Sequence, residues 1–419
     1  MSYENHPCFS SGAKHKYGRI HLPVAPACNL QCNYCNRDFH CVNESRPGVT
    51  STVLSPVQAA DYLDAVLQKI EDISVIGIAG PGDPFANPEE TLETLRLVRE
   101  RYPDVLLCLA TNGLELFRYI DDMVRLRVSH ITVTVNAVDP EIGRKIYQWA
   151  RTDRRMFRGL DAATILLQRQ IEGIKMLKER SIIVKINTVV IPGINDAHAV
   201  DIAGTMASMG VDIMNCIPIY HVGGTPFEDI QPPSRKVMET IRNEAGAHVS
   251  QMNHCSRCRA DAVGLLSEDN TPDVTELLQK AACTSVTNDR PYVAVASMEG
   301  IFVNQHLGEA SQLWIFGLKG DKIGLIGRRS TPSAGGGLER WQQMAVLLHD
   351  CSAILVSGIG SYPRTILERT GVRIVSMEGF AQEGLEAIFH QTEIPKILLK
   401  TPGKCSLGKG CSGTGMGCG

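Results

Sequence analysis

Between residues 20 and 219 the chain alternates short apolar runs with helical stretches, and this alternation narrows the possible folds more than any other feature. The runs lie at 20–25, 75–79, 105–110, 131–135, 182–191 and 212–219. They are short and continuously apolar, as strands covered on both faces are. Helical stretches separate them at 56–70 and 88–101, up to Leu126, at 161–180 and up to Met209. Ser55 before Pro56 reads as a helix start, a capping hydroxyl followed by proline at the first position. Repeated strand–helix units cross over right-handedly and curl into a full or partial barrel. Six repeats predict an α/β fold, a partial (β/α)6 TIM-like barrel, with its site on the loops at the strand C-terminal ends.

The first of those ends carries Cys28, Cys32 and Cys35, a C-x3-C-x2-C spacing. A short loop so spaced can place three thiolates on three corners of an iron–sulfur cube and leave the fourth iron open. An open iron can bind a small chelating molecule, such as the amino and carboxylate groups of S-adenosylmethionine. An electron from the cube then cleaves the sulfonium and releases a radical, chemistry that belongs to the cofactor. The alternatives are a redox pair or zinc, but structural zinc sites usually add a second distant cysteine pair and close all four positions. The later strand ends carry Gly80, Gly82 and Asp83, then Thr111 and Asn112, then Asn136, then Ile191. A glycine lets backbone carbonyls approach a ligand, and Asp83 can accept from an ammonium group. Each is an ordinary strand–helix turn taken singly. Behind the cysteine loop they are expected, with Tyr34, to hold S-adenosylmethionine.

Composition excludes several partner classes. A net charge of −3 and a pI near 6.5 suggest neither nucleic acid nor an anionic membrane surface. No apolar run is long enough to span a bilayer, and residues 1–7 lack the apolar region of a signal peptide. A cytoplasmic, reducing setting is therefore expected, where the 14 cysteines more readily hold metal than pair as disulfides.

Five thiols outside the first motif matter most: Cys8, Cys41, Cys108, Cys255 and Cys258. Cys255 and Cys258 form a C-x2-C pair of metal-binding type. Cys8 stands near His6, and histidine can replace cysteine on iron. Five thiols and His6 suffice for two further clusters with three protein ligands each. Cys216 and Cys283 read as small buried hydrophobes. Glu44, close behind Cys41, is an exchangeable oxygen ligand or an acid–base group, or else a salt-bridge partner of Arg46. Glu44 and Arg46 are the candidate catalytic residues. The expected organisation is a strap at 1–19 carrying cluster ligands, a barrel with its C-x2-C extension at 20–265, a linker with a short helix at 266–290, a small α/β domain at 291–400, and a Gly- and Cys-rich tail at 401–419 with Cys405, Cys411 and Cys418.

The C-x3-C-x2-C spacing with Tyr34 resembles the signature of radical S-adenosylmethionine enzymes. The runs at 6–9, 25–29, 41–48 and 255–262 further resemble the NifB family, which serves nitrogenase iron–molybdenum cofactor biosynthesis. Residues 291–400 resemble the NifX-type dinitrogenase cofactor-binding domain, which implies a ribonuclease H-like fold. The resemblance implies a lyase-like enzyme of nitrogen fixation. It fuses two [4Fe-4S] clusters with a sulfur and a carbide from the S-adenosylmethionine methyl group, giving an [8Fe-9S-C] precursor of the nitrogenase cofactor. It implies that Cys28, Cys32 and Cys35 hold the radical [4Fe-4S] cluster. His6, Cys41 and Cys108 would hold one substrate cluster, and Cys8, Cys255 and Cys258 the other. It makes His306, in the loop 304–309, a product-binding residue. It also implies iron–sulfur donor proteins, an electron-donating ferredoxin, a NifX-type carrier and a NifEN-type scaffold as partners. Two rival functions stay open: a radical maturase that keeps auxiliary electron-transfer clusters, and a non-enzymatic iron–sulfur carrier.

Overall fold

The computed structural model describes residues 5–10, 12–37, 47–255, 258–266, 271–282, 290–320, 322–333, 335, 337–395 and 397–400. Cys41, Glu44, Arg46, Cys283, Cys405, Cys411 and Cys418 lie outside them. The chain divides into two compact units, Met1–Ala282 and Cys283–Gly419.

The first unit runs β1 (Gly18–His21), β2 (Leu30–Cys32), α1 (Pro56–Leu67), β3 (Ile73–Ile78), α2 (Pro88–Arg101), β4 (Leu106–Thr111), α3 (Ile120–Arg125), β5 (His130–Thr134), α4 (Pro140–Ile146), β6 (Tyr147–Thr152), β7 (Arg155–Arg158), α5 (Gly159–Glu179), β8 (Ile183–Val190), α6 (Ala199–Ser208), β9 (Ile213–Pro218), α7 (Arg235–Gly246), β10 (Val263–Gly264) and α8 (Thr271–Ala282). Strands β1, β3, β4, β5, β8 and β9 lie side by side in chain order and pair in parallel, and β10 adds antiparallel to the outer edge of β1. This is the partial barrel expected from the six apolar runs. Helix α1 starts as its sequence predicts: Ser55 and Gln58 form a reciprocal capping box with Pro56 inside it.

Successive side chains on a strand point to opposite faces, and that period sorts the barrel. Ile20, Ile76, Leu107, Leu109, Ile131, Val133, Val184, Ile186 and Met214 face the helices and form one continuous core with α1, α2, α5 and α6. The alternate residues line the lumen: Arg19 and His21, Val75 and Gly77, Cys108 and Ala110, Thr132 and Thr134, Lys185 and Asn187, Asn215 and Ile217. Cys216 falls on the helix side, fully buried in that core, whereas Cys108 faces the lumen.

Two features depart from the expected organisation. The hairpin of β6 and β7 interrupts the barrel pattern, and β6 pairs with β2, which lies inside the cysteine motif. Residues 271–282, expected as a short helix leading into a linker, are helix α8, and it packs on α1 with Val274 and Leu278 in the barrel's helix-side core. Burial of an apolar stripe holds that segment to the first unit.

The second unit runs β11 (Tyr292–Val295), β12 (Phe302–Val303), β13 (Gln312–Lys319), β14 (Lys322–Ser330), α9 (Gly337–Leu347), β15 (Cys351–Val356), α10 (Ser361–Arg369), β16 (Arg373–Ser376), β17 (Gly379–Phe380) and α11 (Ala381–Phe389). Its mixed sheet has the order β14-β13-β11-β15-β16. Ala294, Ile315 and Ile354 pack with Trp341, Met344 and Leu367 on one face, and Val293, Val295 and Leu355 with Leu385 and Ile388 on the other. Among the described residues no helix is long and apolar enough to cross a membrane.

Candidate active site

The barrel lumen is a single cavity that reaches from the strand C-terminal ends down to the strand starts. At its upper end the cysteine loop is fixed on three sides. β6 pairs with it, Asn33 N–H donates to the Ile146 carbonyl (2.8 Å), and Gln31 Nε2 donates to the Cys35 carbonyl (2.5 Å). Gly82 N–H donates to the Ala25 carbonyl (2.6 Å) and Asp83 N–H to that of Ala27 (2.9 Å), so the turn after β3 is clamped to the residues leading into Cys28. Asn87 tightens the clamp, accepting from Ala27 N–H (3.0 Å) and donating to the Ala27 carbonyl (2.8 Å). A Cβ on Gly82 would lie 2.1 Å from the Ala27 carbonyl oxygen, so only glycine permits this approach.

Asp83 is buried, and its carboxylate accepts from Thr111 Oγ1 (2.9 Å), Asn112 N–H (2.6 Å) and Phe85 N–H (2.9 Å). Burial pushes its carboxyl up to about 6 against those bonds. The carboxylate thus ties the ends of β3 and β4 together. Asn112 donates to Asn29 Oδ1 (2.8 Å) and approaches Cys28 Sγ (3.9 Å). Asn136 Nδ2 donates to Tyr34 Oη (2.8 Å), while its Oδ1 accepts from Val189 N–H (2.8 Å), which links β5, β8 and the cysteine loop. Cys28, Cys32, Tyr34, Gly82, Asp83, Thr111, Asn112 and Asn136 all line the cavity. Ile191 is fully buried behind the loop with its N–H held by Asn195 Oδ1 (2.7 Å), and Ile191, Gly80 and Cys35 are not among the lining residues.

The lower half holds the other cysteines. Cys8, Cys255 and Cys258 pack together against Phe9, Ile213, Met252 and Leu266, and Cys108 faces the same space from β4. Arg19 Nη2 donates to Cys258 Sγ (3.1 Å), and Arg19 is the second residue of β1, so this group lies towards the strand starts. The N-terminal segment is tied in by His254 Nε2 donating to the Pro7 carbonyl (2.9 Å) and Ser74 Oγ to that of Asn5 (3.0 Å). His6 Nδ1 accepts from Cys8 N–H (3.1 Å), and its ring lies 4.4 Å from that of His130. Burial above all, then the neighbouring charges of His130 and Lys185, lowers the His6 pKa, so the ring is neutral. Asp261 is fully buried and accepts from Arg259 Nε (2.7 Å) and Ser51 N–H (2.7 Å), bracing the chain beyond Cys258.

The donor set suits iron–sulfur clusters. Cys8, Cys255 and Cys258 pack together and Cys108 faces the same space, and thiolates are the usual ligands of such cubes. His6 Nε2 and Asn215 Oδ1, buried atoms of two cavity-lining residues, have no hydrogen-bond partner. Such atoms are uncommon, and a polar ligand in the cavity would satisfy them. Burial pushes the Cys8 and Cys28 thiols up to about 11 and Cys108 up to about 12, so ligation as thiolates must displace their protons.

Sequence reasoning missed the lumen residues Arg19, His21, Lys185, Asn187 and Asn215. The available signal was polar residues at every second position of otherwise apolar strands.

Residues 22–206 match the radical SAM superfamily, and residues 290–391 match the dinitrogenase iron–molybdenum cofactor family. The FeMo cofactor biosynthesis protein NifB of Chlorobaculum tepidum is 48% identical over 422 residues, covering 100% of this chain and 99% of its own. NifB of Bradyrhizobium diazoefficiens is 40% identical over 427 residues, covering 91% of this chain and 85% of its own. The structure of Streptococcus suis SuiB bound to S-adenosylmethionine overlaps 54% of this chain and 47% of its own at 15% identity, with a TM-score of 0.38, too distant to inform the site. Identity of this order along the whole of both chains, together with the superfamily match over the barrel, makes the chain a member of the NifB family of radical SAM enzymes.

Proposed function

We propose that this enzyme fuses two [4Fe-4S] clusters, with a sulfur and a carbide drawn from the S-adenosylmethionine methyl group, into the [8Fe-9S-C] precursor of the nitrogenase FeMo cofactor. One observation carries the reading. A single lumen joins Cys28 and Cys32 at the strand C-terminal ends to Cys8, Cys108, Cys255 and Cys258 near the strand starts. An enzyme that fuses clusters must hold them within reach of each other and then release the product. Few protein ligands per cluster, around one lumen, suit both demands.

In this reading Cys28, Cys32 and Cys35 hold the resident [4Fe-4S] cluster. Tyr34, Gly80, Gly82, Thr111, Asn112 and Asn136 frame S-adenosylmethionine, with Asp83 bracing the turn and Ile191 backing it. When bound, this pair supplies the electron and the radical. The clamp of Gly82 and Asp83 on residues 25–27 keeps the cysteine loop and the turn in fixed register. Asn136 orients the Tyr34 hydroxyl beside them.

His6, Cys41 and Cys108 take one substrate cluster, and Cys8, Cys255 and Cys258 the other. The common packing of the last three supports that division. His6 accepts through Nδ1, which leaves the proton on Nε2. It can donate to a cluster sulfide as it stands, whereas ligation through Nε2 needs the proton moved and the Cys8 N–H contact opened. Glu44, as an exchangeable oxygen ligand or acid–base group, and Arg46 are the proposed catalytic residues. The second unit receives product: in its neutral ring, kept neutral by burial, His306 Nδ1 accepts from Gly308 N–H (3.1 Å), and Nε2 is left to donate. Its five-stranded mixed sheet, with helices on both faces, supports the ribonuclease H-like reading. Iron–sulfur donor proteins, a ferredoxin, a NifX-type carrier and a NifEN-type scaffold are the proposed partners, in a cytoplasmic setting.

Iron is counted on the protein before and after turnover, with 5′-deoxyadenosine and S-adenosylhomocysteine assayed alongside. Both products with about eight irons leaving in a low-molecular-weight cluster support the reading. Products with all iron retained mean a maturase, and no cleavage at all means a carrier.

A further inference from the structure

Lys185 is the third residue of β8, points into the lumen, and is only 7% exposed. Its ammonium pairs with no carboxylate among the described residues. Its polar contact is Met252 Sδ at 4.0 Å, and it stands 5.2 Å from the centre of the Phe9 ring. A buried cation with a thioether and a ring for company is strongly disfavoured unless an anion joins it. Arg19 enters the same space but already donates to the Gly264 and Leu265 carbonyls and to Cys258 Sγ. The charge of Lys185 reaches Cys8 and Cys108 alike, residues on the two opposite sides of the division of substrate ligands.

We propose that Lys185 is a substrate-binding residue, the cation that stands between the two thiolate-bound clusters and offsets their mutual repulsion in the lumen. The proposal rests on the two-cluster reading of this cavity. A cube held by three thiolates is anionic, and one held by two thiolates and a neutral imidazole becomes so on reduction, so two reduced cubes brought together in a low-dielectric lumen repel each other. A fixed ammonium between them lowers that repulsion without becoming a ligand, so it opposes neither fusion nor release. The residue is thus unfavourable to the metal-free fold and favourable to the loaded one.

That opposition is the test. Parent, Lys185→Met, Lys185→Gln and Lys185→Arg chains are melted metal-free, then loaded anaerobically with ferrous iron and sulfide and challenged with a ferrous chelator. The expected metal-free melting temperature of Lys185→Met equals or exceeds that of the parent. After the challenge Lys185→Met and Lys185→Gln should retain at least about threefold less of the iron beyond the first cube than the parent does, while Lys185→Arg stays close to the parent. The radical cluster, read as S-adenosylmethionine binding in equilibrium dialysis, should be retained in all four. Equal retention in Lys185→Met and the parent overturns the proposal, as does equal loss in Lys185→Met and Lys185→Arg, since charge is then not the cause. A metal-free Lys185→Met that melts well below the parent also overturns it, because the ammonium is then part of the fold. A parent that loads only one cube defeats the two-cluster reading itself, a result distinct from these.

Discussion

Gly82→Ala isolates the clamp between the turn after β3 and the cysteine loop. The added methyl would lie 2.1 Å from the Ala27 oxygen, 2.5 Å from its carbonyl carbon and 2.8 Å from the Pro26 oxygen. All three are backbone atoms, so no side chain can swing aside. An ordinary contact begins near 3.4 Å, and the two segments must therefore part by about 1.3 Å (3.4 less 2.1). That separation breaks the hydrogen bonds from Gly82 and Asp83 to Ala25 and Ala27, worth about 1 kcal/mol each. Overpacking strain adds about 1 kcal/mol or more. The sum is about 3 kcal/mol, a fall of roughly 6 °C or more in the melting temperature of a unit this size. The larger effect is on the site, because the loop carrying Cys28 moves relative to the turn that frames S-adenosylmethionine. Gly193→Ala is the control: its φ is +73° and nothing lies within 4 Å of a Cβ there, so it strains one residue by about 1 kcal/mol and leaves the site alone. The assays are the melting temperature and equilibrium dialysis with S-adenosylmethionine. A Gly82→Ala chain that melts with the parent and binds S-adenosylmethionine equally well would refute the clamp.

Other predictions follow from the same geometry. Replacing Cys255 and Cys258 together should lower bound iron by about four atoms and leave S-adenosylmethionine binding intact, whereas Cys216→Ala, a change in the helix-side core, should keep full iron content; equal loss in both would erase the distinction between lumen and core. Asp83 is held up at about 6 against an ordinary 3.8, so the folded state keeps its proton longer than the unfolded one. Its contribution to stability therefore falls as pH rises from about 4 to about 6, by about 3 kcal/mol in all. Urea midpoints taken across that window should fall more steeply in the parent than in Asp83→Asn, and parallel slopes would contradict the assignment. A chain ending at residue 289 keeps α8 on the barrel and should still form 5′-deoxyadenosine. Loss of that activity in a folded, iron-loaded protein would place the second unit in the chemistry.

The fold was legible because its main elements obey simple periods. Helix α2 has the bounds its Pro88 and its apolar spacing predict, and each barrel strand overlaps an apolar run, although β1 (Gly18–His21) shares only its last two residues with the run at 20–25. The β6–β7 hairpin was not legible: Gln148, Arg151 and Arg155 break any apolar run, and its pairing with β2 is a long-range contact. The cysteines announced themselves by spacing, but which thiol faces the lumen did not. Cys108 and Cys216 each stand in an apolar strand, and only the parity set by barrel closure turns one inward and the other towards the helices. Lys185 was hidden for the same reason, since a lone lysine in a strand reads as a solvent-facing residue until the strand is seen to be enclosed. Asp83 was singled out for the ammonium of S-adenosylmethionine, but the contacts its carboxylate makes with Thr111, Asn112 and Phe85 are ones that no spacing encodes.

The most direct test of cluster fusion in this lumen follows the carbon. The iron-loaded enzyme is turned over with S-adenosylmethionine labelled in its methyl group, and the released low-molecular-weight iron–sulfur fraction is separated from protein and counted. One labelled carbon for about every eight irons in that fraction is the predicted result. Label remaining on the protein, or iron released without label, would contradict the account.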